Sequence, residues 1–479
     1  MKLIFQLFFL VTALNFSLAD IAMADSDPAD QVPAALAPNP TYPAVLHINP
    51  NTLRTYLLSS NRGVLESLNS VLAAKQNVSS KRGALLPSLN ISAFISRFPN
   101  FASATVQVLL PFLVPSNWFN LDMSKQQLAA TGYAYYLLEL NNYASAVGLY
   151  ETVVGDIELS KVLAQQYKIL KQISDYVFNE YQIGIETAAD VAQGKYQAQA
   201  ALGQLQKINE LIAQEQSQVR ALLGLPLSVK LIFDDTHMSS IGQEQVAAST
   251  ILATVNPVSA EERQFESLIA ASNDNKKNAQ FSFLTGAAVN YNSIGSSAFA
   301  SNAEVTGGIG FSYIPNINIA SLNTSQLRLQ QSELRIQQGQ TIESALASIK
   351  EDREQMASAN EAVRQAQIFF NGEMAAYKLA TVDLLHALQA STNLITAETT
   401  AVNVKIDLDN QRLTLLRILV AGEFAKIPTC ATKGAEKSGG IFGVLGSFLG
   451  GKKKTISVDQ LCGATAAAAQ QASSGIVPN

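Results

Sequence analysis

Histidine is nearly missing from this chain: His47, His237 and His386 are the only three, in no metal-ligand spacing, so a zinc or iron site has little support. Cysteine occurs twice, at Cys430 and Cys462. In an exported protein the two can pair, and closing a loop of that length contributes about 3 to 4 kcal/mol in the chain-entropy model; the alternative is two free thiols. Charge is scarce as well. Asp, Glu, Lys and Arg make up 15% of the 479 residues against 48% hydrophobic, and a net charge of −5 argues against a nucleic-acid partner. "GGIG" at 307–310 lies inside an alternating stretch, not at a strand-to-helix turn, so it is no phosphate loop. There is no nucleophile elbow, and the scattered serines have no histidine in pattern with them. An enzyme is therefore poorly supported, and no cofactor is called for.

Long apolar runs are also lacking beyond the first residues, so no transmembrane helix is encoded there. If the chain spans a membrane it must do so with strands in a closed barrel, because lipid leaves no other way to satisfy the backbone. The opening "MKLIFQLFFLVTALNFSLADIAMADSD" has one lysine, an apolar core from Leu3 to Leu18, and small-residue cleavage sites after Ala19 and after Ala24. It reads as a secretory signal peptide over 1–24, with a retained anchor as the alternative. No cysteine near either site offers itself for lipid attachment. Residues 25–48 form a Pro-rich linker, with five prolines between 25 and 45.

Two periods follow. "SLNISAFISR" alternates strictly, with Leu89, Ile91, Ala93 and Ile95 on one face, and "ATVQVLLPF" sets Val106, Val108, Leu110 and Phe112 on one face, which predicts a β-hairpin over 88–113. From Pro115 no proline occurs until Pro226. Within that span Tyr133, Tyr136, Leu140, Tyr143, Val147, Tyr150, Val154 and Ile157 recur at steps of three and four, the seam of a left-handed coiled coil. A helix from there to about Tyr181 is roughly 100 Å long. After a break at "YQIGIETAAD", the return helix carries Leu205, Ile208, Ile212, Val219 and Leu222 in heptad spacing, interrupted by Glu215.

The plan then repeats. Phe281, Phe283, Ala287, Val289 and Tyr291, with Val305, Ile309, Phe311 and Tyr313, predict a second hairpin over 281–313; Pro315 opens a proline-free span to Pro428, broken at "YKLATVDLLHAL". Its return seam is Leu394, Ala397, Ala401, Val404, Leu408, Leu415 and Ile418. The sequence thus divides into a first repeat at 49–228, an inter-repeat segment at 229–258, a second repeat at 259–425 and a tail at 426–479. The fold class is mainly α with transmembrane β. Four strands cannot close a barrel, whose minimum is about eight, so several chains must associate if the strands enter lipid. Two copies give eight strands and three give twelve.

The order of "LLPSLNISA", Pro115 and Pro315 before long helices, the two turns, and "ALLGLP" closing the first half resembles the TolC-type outer-membrane efflux family over about residues 50 to 425. The resemblance implies a homotrimeric channel-tunnel: a twelve-stranded barrel in outer-membrane lipid and a helical barrel through the periplasm, closed at its periplasmic tip. It further implies a periplasmic adaptor and an inner-membrane transporter as partners, with small toxic compounds or proteins as cargo. The family pattern at the turn is an aromatic, a glycine three later, Ser or Thr, then an acid. Tyr181, Gly184, Thr187 and Asp190 fit it in the first turn. In the second, Tyr377 is followed by Ala380, Asp383, His386 and Gln389, so glycine, hydroxyl and acid are all replaced.

By the resemblance, bonds between neighbouring turns hold the tip shut and acidic rings favour cations. Tyr377 is expected to donate its hydroxyl to Asp190, a bond worth about 1.5 to 3 kcal/mol when buried. A weakened cation preference is expected too, with Asp383 moving the acidic ring or His386 adding positive charge below about pH 6.5. The alternative is that both sit on a solvated face without a gating role. From another class, the rival reading is a structural periplasmic coiled-coil protein without a pore. The tail segment "KSGGIFGVLGSFLGGKKK" reads either as a loop closed by Cys430 and Cys462 or as a membrane-surface segment.

Overall fold

The structure, a computed structural model, describes residues 42–95, 102–235, 238, 240–256, 259–294, 299–379 and 381–428. The stretch read as a signal peptide, most of that read as linker, Cys430, Cys462, His237 and Ala380 lie outside the described residues. The chain is mostly helical, and among the described residues no helix is long and apolar enough to cross a membrane.

Two helices, α1 (Pro50–Ser60) and α2 (Arg62–Gly83), lead into strands β2 (Ser88–Ile95) and β3 (Ala102–Leu109). Then come α3 (Pro115–Gln182) and α4 (Ala188–Leu222). After α5 (Ala248–Val255) the order recurs as α6 (Ala260–Phe281), β5 (Leu284–Ile294), β6 (Phe299–Gly307), α7 (Tyr313–Lys378) and α8 (Leu384–Leu419). Strands β1 (Val45–Ile48) and β4 (Lys230–Phe233) pair in parallel in between.

The long helices follow from their seams. Tyr136, Leu140, Tyr143, Val147, Tyr150 and Val154 are all buried on α3, while Tyr133 and Ile157 pack at the margin of the same core. At 68 residues α3 is about 102 Å long. Pro115 is its first residue, where a missing N–H costs nothing. Four helical columns stand side by side. In the half nearer the strands α2 packs on α3, α3 on α6 and α6 on α7; in the other half α4 packs on α3, α3 on α8 and α8 on α7. The shorter helices are joined end to end where the halves meet: Asn61 Nδ2 donates to the Leu222 carbonyl at 2.7 Å, and Arg417 pairs with Glu261 at 2.6 Å. The largest core cluster lies at this level, with β1 and β4 against α3, and the Tyr143 hydroxyl donates to the Pro50 carbonyl at 3.1 Å.

The four longer strands form one antiparallel sheet in the order β2-β3-β5-β6. The register aligns Leu89 with Val108, Val108 with Val289, and Val289 with Ala303, and it aligns Asn90 with Gln107, Gln107 with Asn290, and Asn290 with Asn302. In these two adjacent rows apolar residues align with apolar and polar with polar across all four strands. On the polar face Asn290 Nδ2 donates to Glu304 Oε2 at 3.0 Å.

Three expectations need correction. Both hairpins are shorter than 88–113 and 281–313: β3 ends at Leu109 and Pro111–Leu113 form a 3-10 turn, while α6 runs through Phe281, β5 starts at Leu284, β6 ends at Gly307 and Tyr313 already belongs to α7. Phe281 and Phe283 instead belong to a run of rings, Phe119–Phe281–Phe283–Tyr313, with centroids 5.4, 6.3 and 6.4 Å apart where helices meet sheet. The last four residues of the stretch read as linker form β1, because Leu46 and Ile48 bury against the core beside Leu231. Helix α5, unmarked in the sequence reading, buries Ile251 and Val255 against Ile342 and Ile349 of α7.

Candidate functional site: two helical turns and an open-edged wall

Both turns lie at the end of the helical wall remote from the sheet. In the first, Gly184 takes φ +82°, the left-handed conformation that ends a helix most readily with glycine. The Ile185 N–H donates to the Glu180 carbonyl at 2.9 Å and the Gly184 N–H to that of Tyr181 at 3.0 Å. Thr187 then caps α4. Its hydroxyl accepts from the Asp190 N–H at 3.3 Å, and Asp190 accepts from the Thr187 N–H at 3.0 Å, which closes a reciprocal box. Donation by Thr187 holds the Asp190 carboxyl below its ordinary range.

In the second turn Asp383 caps α8, accepting the His386 N–H at 3.1 Å, and its carboxylate also meets His386 Nδ1 at 2.6 Å. The contact pushes the Asp383 carboxyl down and the His386 imidazole up. The two departures from the first turn are thus one change. A hydroxyl cap with an acid at the third helical position becomes an acid cap with a base there, and the pair is internally neutralised whenever His386 is protonated. Gln389 points along α8 and donates to Asn393 at 3.0 Å. Tyr181 is exposed.

Tyr377 joins the turns. It is buried, its ring edge-on to Tyr176 at 5.6 Å, within a cluster of Leu170, Ile173, Val177, Val191, Leu384 and Leu388. Its hydroxyl donates to Glu186 Oε1 at 3.0 Å, not to Asp190, whose carboxylate is occupied by its own helix cap. Burial raises the Glu186 carboxyl, opposed by the Tyr377 bond, and burial with Glu186 beside it raises the Tyr377 hydroxyl. Around this joint Ile183, Ile185, Leu379 and Leu385 are exposed, which leaves an apolar rim at the extremity.

The wall has open edges. Helix α4 makes no extended contact with any helix but α3. On α7, at the other edge, Leu322, Leu329 and Ile336 repeat at seven-residue steps and are 68%, 70% and 61% exposed. Exposed apolar residues at heptad spacing have the pattern of a coiled-coil seam that is not filled within this chain. The sheet is open in the same way, with β2 and β6 each paired on one side only among the described residues.

No sequence-family profile matches the chain, and no curated protein matches it in sequence. Solved structures do. VceC, an outer membrane protein of the bacterial pathogen Vibrio cholerae, aligns at a TM-score of 0.68 and 15% identity over 78% of this chain and 96% of its own. The CmeC outer membrane channel of Campylobacter jejuni gives 0.68 and 16% over 83% and 93%; the open MtrE outer membrane channel of Neisseria gonorrhoeae gives 0.64 and 15% over 78% and 89%. The chain has the fold of an outer-membrane channel protomer.

In this channel-protomer fold the residues singled out from the sequence gather at one place: Tyr181, Gly184, Thr187 and Asp190 in the first turn, Tyr377, Asp383, His386 and Gln389 in the second. Glu186 is the one that sequence reasoning missed. Its signal was present, since an acid immediately before a helix cap can reach across to another turn.

Proposed function

We propose that the chain is one subunit of a homotrimeric outer-membrane channel-tunnel, the exit duct of a tripartite efflux machine, with its sheet in the outer membrane and its helices in the periplasm. The observation that carries this is the doubly open wall. Four strands and four helical columns in single layers, with unpaired edges and a vacant heptad row, are parts of two coaxial tubes. Two copies would give an eight-stranded barrel, whose interior side chains fill, whereas twelve strands leave a lumen. Gln107, Asn290, Asn302 and Glu304 would line that lumen and Val108, Val289, Ala303 and Val305 would face lipid. The ring run at the base of the sheet, with exposed Phe112 and Phe311, suits a membrane interface.

On this reading the two turns form the periplasmic gate, with Tyr377 and Glu186 as its internal fastening, and the apolar rim is where a periplasmic adaptor docks beneath an inner-membrane transporter. The neutralised Asp383–His386 pair supports a weak cation preference. Residues 49–228 and 259–425 are two copies of one unit, as the recurring element order suggests. Efflux of small compounds and export of proteins through a type I system use the same geometry, and the cargo is set by the inner-membrane partner.

The test is single-channel recording of purified protein in a planar bilayer with a salt gradient, alongside its mass in detergent. Unitary steps from a three-chain particle are expected. A single-chain particle that never inserts would overturn the reading in favour of a structural periplasmic coiled-coil protein.

A further inference from the structure

Glu215 stands where the α4 seam calls for an apolar side chain, between Ile212 and Val219. It is 7% exposed, and the residue facing it from α3, Asp156, is 9% exposed. The two buried carboxyls face each other across the seam, in the register that the Ser160–Asn209 hydrogen bond sets one turn further along. Glu215 Oε2 is buried and has no partner of its own among the described residues.

The surroundings supply no counter-charge. One turn further along the same seam Ser160 donates to Asn209 at 2.8 Å. From α8, Lys405 is engaged with Glu158 at 2.9 Å and Asp409 with Arg412 at 3.5 Å, while Glu151 of α3 sits under the field of Asp409 and Lys405. Arg220, on α4, donates to the Val229 carbonyl. Lys207 and Glu210 are on the exposed face of α4. Burial and the other acid are the influences that act on each carboxyl, and no cation is among them.

A carboxylate has no proton to donate, so two acids that face each other in a closed seam can hydrogen-bond only when one of them is protonated. Two ionised carboxylates in a closed seam would combine desolvation with like-charge repulsion. We propose that Asp156 and Glu215 form a proton-dependent clasp across the α3–α4 coiled coil, closed while they share a proton and sprung when that proton leaves. Burial with Asp156 beside it pushes the Glu215 carboxyl up to about 7, and burial raises Asp156. With the folded value above the ordinary carboxylate value, the stabilisation is fully present below about pH 4.5 and is lost as pH rises through about 7. Within the protomer α4 packs along its length on α3, so release of this contact loosens that hairpin and leaves the α3–α8 contact in place. The clasp belongs to one helical hairpin and does not depend on the chain conducting.

The experiment is hydrogen exchange by mass spectrometry on the full-length protein in detergent, at pH 6 and 8.5, corrected for the intrinsic pH dependence of exchange. Peptides over 208–219 should lose protection on going to pH 8.5, by about 10-fold if one proton with a folded value near 7 and the ordinary carboxylate value in the opened state controls opening. Glu215→Gln keeps a neutral hydrogen-bonding group and should make protection in that segment independent of pH; Asp156→Asn should do the same and serves if the first variant does not fold. Peptides over 402–412 on α8 should not share the change. Equal wild-type protection at both pH values, or an unaltered pH dependence in both variants, would overturn the clasp.

Discussion

Tyr377→Phe removes one oxygen atom from the joint between the turns and leaves its packing in place. The ring still meets Tyr176 edge-on and still fills the cluster around Val177 and Leu384, so the variant should fold as the parent does. What is lost is the 3.0 Å donation to Glu186. A fully enclosed hydrogen bond to a carboxylate contributes about 1.5 to 3 kcal/mol. Glu186 is only half-buried, water can replace the lost donor, and about 1 kcal/mol per protomer is the expected size. That is roughly a fivefold shift between closed and open tips if protomers act singly. If three open together the effects multiply to about 150-fold.

Single-channel open probability is the readout. Glu186→Ala should reproduce the effect, Glu186→Gln should retain part of it through its amide oxygen, and the double variant Tyr377→Phe with Glu186→Ala should open no more than either single one, because both remove the same bond. Unchanged open probability in Tyr377→Phe, or a double variant showing the sum of the singles, would refute the assignment of this bond to the closed state.

Leu329→Glu puts a charge in the middle of the exposed Leu322–Leu329–Ile336 row; native mass spectrometry should show the trimer replaced by single chains, and a trimer of parental stability would take the row out of the subunit contact. Asp383→Ala removes the cap of α8 and the partner of His386 together. Loss of the cap should fray the first turn of α8. The His386 midpoint, followed by NMR, should fall back toward the ordinary imidazole value. Since Asp383 raises that midpoint in the parent, the pair strengthens the fold below the ordinary imidazole pKa and its help is lost as pH rises through the raised one. A midpoint that stays put would mean that the two side chains do not pair in solution.

The wall was legible in the sequence because a hundred-ångström helix must place a buried residue every three or four positions, and the register of Tyr136 through Val154 on α3 needs no knowledge of any distant residue. Period fails where elements meet. Phe281, Phe283, Ile309 and Phe311 alternate like a strand, yet the first ends a helix and the last is fully exposed after β6, because aromatic side chains crowd this junction for reasons of their own. β1 is four residues long beside a Pro-rich stretch, too short for any period to register, and it is held in place by a parallel partner far along the chain, with Val45 aligned to Lys230.

The site is harder to read than the wall for a related reason. Asp383 and His386 look, position by position, like a lost hydroxyl and a lost acid, and only the cap geometry reveals that they are one substitution in which cap and partner exchange chemical roles. Glu186 and Tyr377 are 191 residues apart, and no local pattern links them. Glu215 shows the converse. Its break in an otherwise regular seam was visible at once, but its meaning required Asp156 on the facing helix, and an interrupted heptad becomes a site when the interruption is buried opposite a second acid. In a protein built from repeating seams the informative residues are therefore those that break the repeat, and each must be read against whatever the fold sets across from it.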